Sequence, residues 1–425
     1  MRLRIHRGAN QIGGNCVEVE YEGQSILLDL GMPLDADRPE PSLLPSIPFL
    51  TEGEQEPPSN KRPYRPGRQS LLGVVISHIH PDHIGLAGLL SPTIPIYLGE
   101  KATQLLAAAQ DFVPKQAPPR ALRTYSDGNA FTLGPFEITP YLVDHSAFDA
   151  YSLMVKAGDS KIFYSGDLRA HGRKSAVMEG LIRHPPTDID VLILEGTTLS
   201  RPDHRTVPET VIEKRLITQI ASSSRLVLAA FSAQNIDRFV TFYRATLQAG
   251  RVFVGDAYLA HLLNCLQLPT LPKPNSRNFR IYLPSTQRRH ILSRRSFHLV
   301  DTIRYARIFP EELAAEPSRF VVLFRESMAA EFQRLVQASG AELIYSQWPG
   351  YLDRPSSKLR AWCAANSVPL AICHTSGHAD PKTLIRLARA LRPRHLIPIH
   401  TVAPERFPGL VPDVVLLGDG EWFEC

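Results

Sequence analysis

The chain has 425 residues, is 44% apolar and carries a formal net charge of +5. That length exceeds the about 100–150 residues of a common single domain, so two domains or one domain with a large insertion are expected. No apolar run approaches the roughly 20 residues of a membrane span, and the opening MRLRIHRGANQ lacks a signal-peptide core. Five scattered cysteines (16, 265, 363, 373 and 425), with no C-x-x-C pair, fit reduced thiols in a cytoplasm rather than a disulfide framework.

In chain order, CVEVEYEGQSILLDLG (16–31) predicts two strands around a Glu-Gly turn. Residues 33–69 are rich in proline and polar residues and predict a long surface loop. LLGVVI (71–76) reads as a buried strand. Short strands follow at 94–99, 136–145, 151–158, 161–167 and 190–196, with few helices between them, which suggests packed sheets. After Thr197 the pattern becomes strand–helix alternation, the mark of a mainly parallel α/β sheet. Its first helix, 206–223, opens with a capping-box pattern, Thr206 followed by Glu209, with Pro208 in the first turn. VPLAICH (368–374) then reads as a strand ending in the His-rich turn HTSGHAD, before a helix at 381–392 and strands at 395–400 and 414–424. The whole fits an α/β insertion within a sheet-rich domain better than two domains in series.

SHIHPDHIG (77–85) packs three histidines and an aspartate into six positions at a strand's end. His78 and His80 share a face because alternate strand residues point the same way. Asp82 and His83 turn toward a neighbouring position. Imidazole and carboxylate suit Zn²⁺, and two ligand pairs in one turn suit two adjacent metals. Further candidates again stand where strands end: His145, Asp167 and His400.

These segments together resemble the metallo-β-lactamase fold and, within it, the β-CASP nucleases, a group that includes RNase J and the endonucleases of polyadenylation. RGANQIGGNCVEVEYEGQSILLDLG resembles the family's opening hairpin, with Asp29 at its acidic motif. SHIHPDHIG resembles the second motif, His145 in DHSAFDAYSLMV the third, and Asp167 in FYSGDLRAHGRK the fourth. Glu195 in LEGTTL, His378 in HTSGHA and His400 in IPIHT match the β-CASP motifs A, B and C. The resemblance implies a metallo-β-lactamase αββα sandwich (1–200 and 367–425) with an inserted α/β β-CASP lid domain (201–366). It assigns one Zn²⁺ to His78, His80 and His145 and a second to Asp82, His83 and His400, with Asp167 bridging and Asp29 orienting the ligands. Many relatives have proline where this chain has Phe148.

The expected chemistry is hydroxide attack on phosphorus between two Zn²⁺ ions, leaving a 5′-phosphate and a 3′-hydroxyl. His/Asp ligands also accept Mn²⁺. Asp82, His378 and Glu195 are the catalytic candidates, with His378 serving the leaving group and Glu195 holding it charged. The expected partner is single-stranded RNA, with DNA as an alternative, cleaved from a 5′ end, internally, or both. The candidate substrate contacts are Ser232, Ser346, Ser376, Gly377 and the acid-free arginine stretch Arg288, Arg289, Arg294 and Arg295. Trp348 suits either base stacking or core packing. Rival readings are a small ester or thioester hydrolase and a catalytically silent RNA-binding subunit. The chain stops about 25 residues past His400 (425 − 400), which fits a bare catalytic unit. The sequence leaves the oligomeric state, a homodimer included, open.

Overall fold

The structure is a computed structural model that describes residues 1–48, 50–51, 70–113, 118–201 and 206–425. It divides into two units. The first comprises 1–107, 113–205 and 377–425; the second comprises 108–112 and 206–376.

In the first unit, β1 (Arg2–Arg7), β2 (Cys16–Tyr21) and β3 (Gln24–Leu28) run antiparallel. Glu22 and Gly23, both at positive φ, form the hairpin turn between β2 and β3. Strands β4 (Ser70–Val75), β5 (Ile96–Gly99) and β6 (Leu122–Tyr125) extend this sheet in parallel. The second sheet starts with β7 (Phe131–Leu133), β8 (Phe136–Val143), β9 (Ala150–Ala157) and β10 (Ser160–Tyr164), each antiparallel to the next. Strand β11 (Val191–Glu195) then lies parallel to β10.

The second unit is a parallel six-stranded sheet. Its strands are β12 (Leu226–Ala230), β13 (Val252–Asp256), β14 (Phe279–Tyr282), β15 (Phe320–Leu323), β16 (Ala341–Tyr345) and β17 (Leu370–Ile372), in the order β14-β13-β15-β12-β16-β17. The chain then returns to the first unit, where β18 (His395–Ile399) pairs with β11 and β19 (Trp422–Glu424) with β1.

Alternation explains the layering of the first unit. Val191 and Ile193 face Leu3, Ile5, Val17 and Val19 between the two sheets, whereas Leu192 and Leu194 face the helices Ser175–Arg183 and Pro381–Leu391 on the outer side. A strand covered on both faces must be apolar throughout, as VLIL is. The result is an α/β sandwich.

Two expectations differ from the structure, and two others fall at or outside the described residues. The strand expected at 368–374 in the returning segment is β17, the edge of the second unit's sheet, and the return falls at Gly377. A short apolar strand carries no mark of which sheet it joins; the His-rich turn beyond it suggested the wrong one. The boundary expected at 200/201 lies beside residues 202–205, which fall outside the described residues, as do 52–69 of the expected loop. The helix expected from 206 spans Glu209–Ser222 and has no side-chain cap.

Glu209 has a stronger partner than a helix terminus. Arg238, only 1% exposed, donates from Nε to Glu209 Oε1 (2.8 Å) and from Nη2 to Oε2 (3.1 Å). Its Nη1 donates to the Ser346 carbonyl and hydroxyl, and Thr241 adds a 2.7 Å bond to Glu209. This buried pair joins two helices to the end of β16. Removing one partner strands the other charge in a dry core, so Arg238→Ala is expected to destabilise the protein by about 3–5 kcal/mol. Denaturant unfolding followed by circular dichroism measures it; a loss under about 1 kcal/mol would show that the pair is dispensable.

Candidate metal centre

Strands β8, β10, β11 and β18 all point the same way, so their carboxyl ends share one edge of the second sheet. His145, Asp167, Glu195 and His400 stand there. Strands β3 and β4 of the facing sheet bring Asp29 and the turn from His78 to His83 to the same place. That turn is pinned by backbone bonds: Asn15 N–H to Asp82 O (3.1 Å), Met32 N–H to Pro81 O (2.9 Å) and Leu30 N–H to His83 O (2.8 Å). Gly31 permits the approach, since a Cβ there would lie 1.8 Å from the Asp82 carbonyl oxygen.

Two sets of ligand atoms converge, each within 4.8 Å of one another: His78, His80 and His145; then Asp82, His83, Asp167 and His400. Asp167 and His145 also form such a set with His378. His78, His83, His145 and His400 are fully buried, and Asp167 nearly so.

The hydrogen bonds settle which nitrogens face inward. His145 Nδ1–H donates to the Gly377 carbonyl (2.6 Å) and His83 Nδ1–H to Asp29 Oδ2 (2.7 Å), so both Nε2 atoms face the cluster. His145 Nε2 then faces His80 Nδ1 at 3.1 Å, and His78 Nε2 faces that same nitrogen at 3.2 Å. His83 Nε2 faces Asp167 Oδ2 at 3.1 Å. Asp167 Oδ1 and His400 Nε2 are buried without a hydrogen-bond partner.

Most of these rings resist taking a second proton. Burial, with the neighbouring imidazoles, holds His78 and His145 well below the usual histidine range, and burial lowers His80 to about 4. Burial also lowers His400. At His83 burial acts downward as well, but the Asp167 and Asp29 carboxylates outweigh it and raise the group. The convergence of buried imidazole nitrogens and carboxylate oxygens, with Asp167 Oδ1 and His400 Nε2 unpartnered, forms an N/O donor set that fits divalent metal.

Beside the cluster, Glu195 is fully buried at the end of β11. Its Oε1 accepts from Leu168 N–H (3.0 Å), its Oε2 from the Thr197 hydroxyl (2.8 Å), and His378 Nδ1 lies 3.2 Å from Oε2. Burial tends to lower His378, but the charges of Glu195 and Asp167 raise it to about 9. At neutral pH His378 is therefore an imidazolium.

The structure thus gathers His78, His80, Asp82, His83, His145, Asp167, His400, Asp29, Glu195 and His378 in one place. Gly377 joins them by its carbonyl; adding a Cβ there would meet Ser146 Oγ at 2.6 Å. The other substrate candidates fall in the second unit. Ser232 is exposed, as are Arg288, Arg289, Arg294 and Arg295 in and just after the helix Ser285–Arg294. Ser376 is half-buried. Ser346 does not suit a phosphate contact: it is 2% exposed, and its hydroxyl donates to the Cys373 carbonyl while accepting from Arg238. Trp348 is 42% exposed and meets Tyr351 edge-on. Phe148 lies under the Lys174 ammonium, 5.4 Å from the ring centre. Asn15, Ser77, Tyr164 and Thr197 are not found from the sequence. All four touch a ligand or its neighbours, yet only the Gly-Gly before Asn15 marks any of them as special.

A family profile described as the beta-lactamase superfamily domain matches residues 48–222. Ribonuclease J of Mycobacterium tuberculosis H37Rv is 24% identical over 94% of this chain and 68% of its own length. Ribonuclease J of Helicobacter pylori 26695 is 20% identical over 92% of this chain and 55% of its own length. A solved structure of a protein of unknown function from Enterococcus faecalis V583 has the same fold, with a TM-score of 0.80 at 21% identity over 99% of both chains. The fold and the His/Asp cluster are those of a metal-dependent hydrolase and resemble the metallo-β-lactamase superfamily. Within that superfamily, the chain is similar to the RNase J-like β-CASP nucleases. Among the described residues, no helix is long and apolar enough to cross a membrane.

His80→Ala removes the nitrogen that both His78 and His145 face. The variant is expected to fold and to bind at least one fewer divalent ion per chain. Elemental analysis after dialysis against limiting zinc tests this, and an unchanged metal content would refute the ligand set.

Proposed function

We propose that the protein is a two-zinc ribonuclease that hydrolyses phosphodiesters to leave a 5′-phosphate and a 3′-hydroxyl. One observation carries the reading: two ligand sets meet beside His378, which a buried glutamate holds in place. The similarity to ribonuclease J over nearly the whole chain supports RNA as the substrate. His78, His80 and His145 would hold one ion and Asp82, His83 and His400 the other, with Asp167 between them. When bound, such ions supply Lewis acidity and a water-derived nucleophile at neutral pH.

The chain's own residues supply the rest. His378 is tied through Nδ1 to Glu195 and Thr197, so Nε2 is the atom that delivers a proton to the departing sugar oxygen. Glu195 keeps that ring charged and oriented. Asp29 and Gly377 hold ligand rings and touch no substrate. The exposed arginines of the second unit would follow the RNA backbone. All five cysteines are free, in keeping with the reducing cytoplasm proposed for the protein.

The test uses one RNA, labelled separately at each end and bearing a 5′-monophosphate, beside a DNA of the same sequence. Mononucleotide release from the 5′ label would establish 5′ exonuclease action, and internal fragments endonuclease action. His378→Ala is expected to keep its zinc while cleaving about 10²–10⁴-fold more slowly. A zinc-loaded wild type that cuts neither polymer would overturn the proposal, and one that cuts only DNA would redirect it.

Changing Arg288, Arg289, Arg294 and Arg295 to Glu should weaken RNA binding and flatten its dependence on salt, by about 0.7 in the log–log slope for each phosphate that is no longer neutralised. An unaltered slope would return these side chains to ordinary solvated surface.

A further inference from the structure

His83 and His400 belong to the same ligand set but arrive from opposite sheets. A continuous hydrogen-bonded chain joins their outer nitrogens. His400 Nδ1 lies 2.9 Å from Asn15 Oδ1, the Asn15 amide donates to the Tyr164 hydroxyl (3.3 Å), and Tyr164 donates to Asp29 Oδ2 (2.6 Å). His83 Nδ1–H reaches that same Oδ2. Ser77 Oγ also donates to it (2.8 Å) and lies 3.1 Å from His78 Nδ1. Every member is at most 1% exposed.

Proton counting gives the chain a single direction. A hydroxyl has one hydrogen. Tyr164 gives its hydrogen to Asp29, so its oxygen must accept from Asn15. The Asn15 amide therefore turns its NH₂ to Tyr164 and its oxygen to His400, which must carry its proton on Nδ1. By the same logic Ser77, having donated to Asp29, accepts from His78 Nδ1–H. The Gly13 N–H also approaches His400 Nδ1, but at 3.4 Å, and the shorter Asn15 contact prevails. The unpartnered Nε2 of His400 is the other face of this arrangement.

We propose that Asn15 and Tyr164 are positioning residues that, together with Ser77, let the one Asp29 carboxylate fix three ligand imidazoles as Nδ1–H tautomers with Nε2 turned to the metals. This rests on the metal-centre reading above but not on the identity of the substrate. Asp29 acts directly on His83, through Ser77 on His78, and through Tyr164 and Asn15 on His400. Outer partners of this kind commonly change metal affinity by about 10–100-fold.

The test compares Tyr164→Phe, Asn15→Leu and Asn15→Asp in the full chain, with Ile26→Val as a buried control outside the network. Zinc affinity is read by chelator competition. Proton NMR of the cobalt-loaded protein reads the exchangeable N–H signals of ligated imidazoles, which the paramagnetic ion shifts. Tyr164→Phe and Asn15→Leu are expected to weaken one zinc site by about 10–100-fold and to move or erase one shifted N–H signal. Asn15→Asp, which keeps an acceptor for His400, should retain that signal, and Ile26→Val should change neither reading. Because Tyr164→Phe removes a single oxygen, it serves as the fold-safe variant. Wild-type affinity and an unchanged N–H pattern in Tyr164→Phe and Asn15→Leu would overturn the inference alone. A wild type that binds no zinc would overturn the metal centre and this inference with it.

Discussion

The crowding of buried imidazole and carboxylate groups into one small space is the constraint on which the rest of this structure depends. His78, His80, His83, His145 and His400 converge with Asp167 at the open ends of strands, and burial denies most of these rings a second proton. Bringing so many buried polar groups to one place requires a scaffold that fixes each of them. The polypeptide does so with the rigid ends of two packed sheets and with backbone that few residues accept. Asp29 (φ 60°) and His400 (φ 54°) both sit in the left-handed region. Such positions cost about 1–3 kcal/mol each and persist only where the surroundings over-determine them. Here the surroundings are β3 and β4 on one side and β11 and β18 on the other.

Two buried carboxylates sit just outside the cluster, and their partners separate their tasks. Asp29 Oδ2 receives three donors, from His83, Ser77 and Tyr164, while Oδ1 takes the Ser77 backbone N–H. Its charge is consumed in aiming ligands. Glu195 takes bonds from Leu168 and Thr197, which leaves it able to face His378. His378 is only half-buried in its turn, unlike the buried rings of the cluster, and Glu195 keeps it protonated. One acid is bonded to a ring of the converging sets and the other to His378, although both stand at strand ends in the same unit.

The parts legible in the sequence were those whose geometry is local. H-x-H-x-D-H at a strand's end needs only the two-residue period and one tight turn to place its side chains together. His145, Asp167 and His400 could be found because each follows an apolar strand directly. What stayed hidden depended on contacts between distant segments. Asn15 and Tyr164 lie 149 positions apart, and Tyr164 ends an apolar strand like any other core residue. Ser346 looked like a phosphate contact because nothing nearby in sequence reveals the buried Arg238 that claims it. The same arginine drew Glu209 away from the expected capping box. Strand β17 was assigned to the wrong unit for a related reason: pairing partners are chosen by the sheet, and three apolar residues cannot announce the choice.

The division of labour between the two units follows from where the side chains come from. Every ligand candidate, Asp29, Glu195 and His378 belong to the first unit, although His378 and His400 reach it only after the chain has built the whole of the second. The insertion has its own core and its own buried ion pair, and among the described residues it adds no ligand to the converging sets. The reaction centre is therefore assembled by the sandwich alone. What the second unit presents instead is a group of exposed arginines, in and just after the helix Ser285–Arg294. Ligand geometry is thus set by one unit, through the strained strand ends at Asp29 and His400, and owes nothing to the exposed surface of the other.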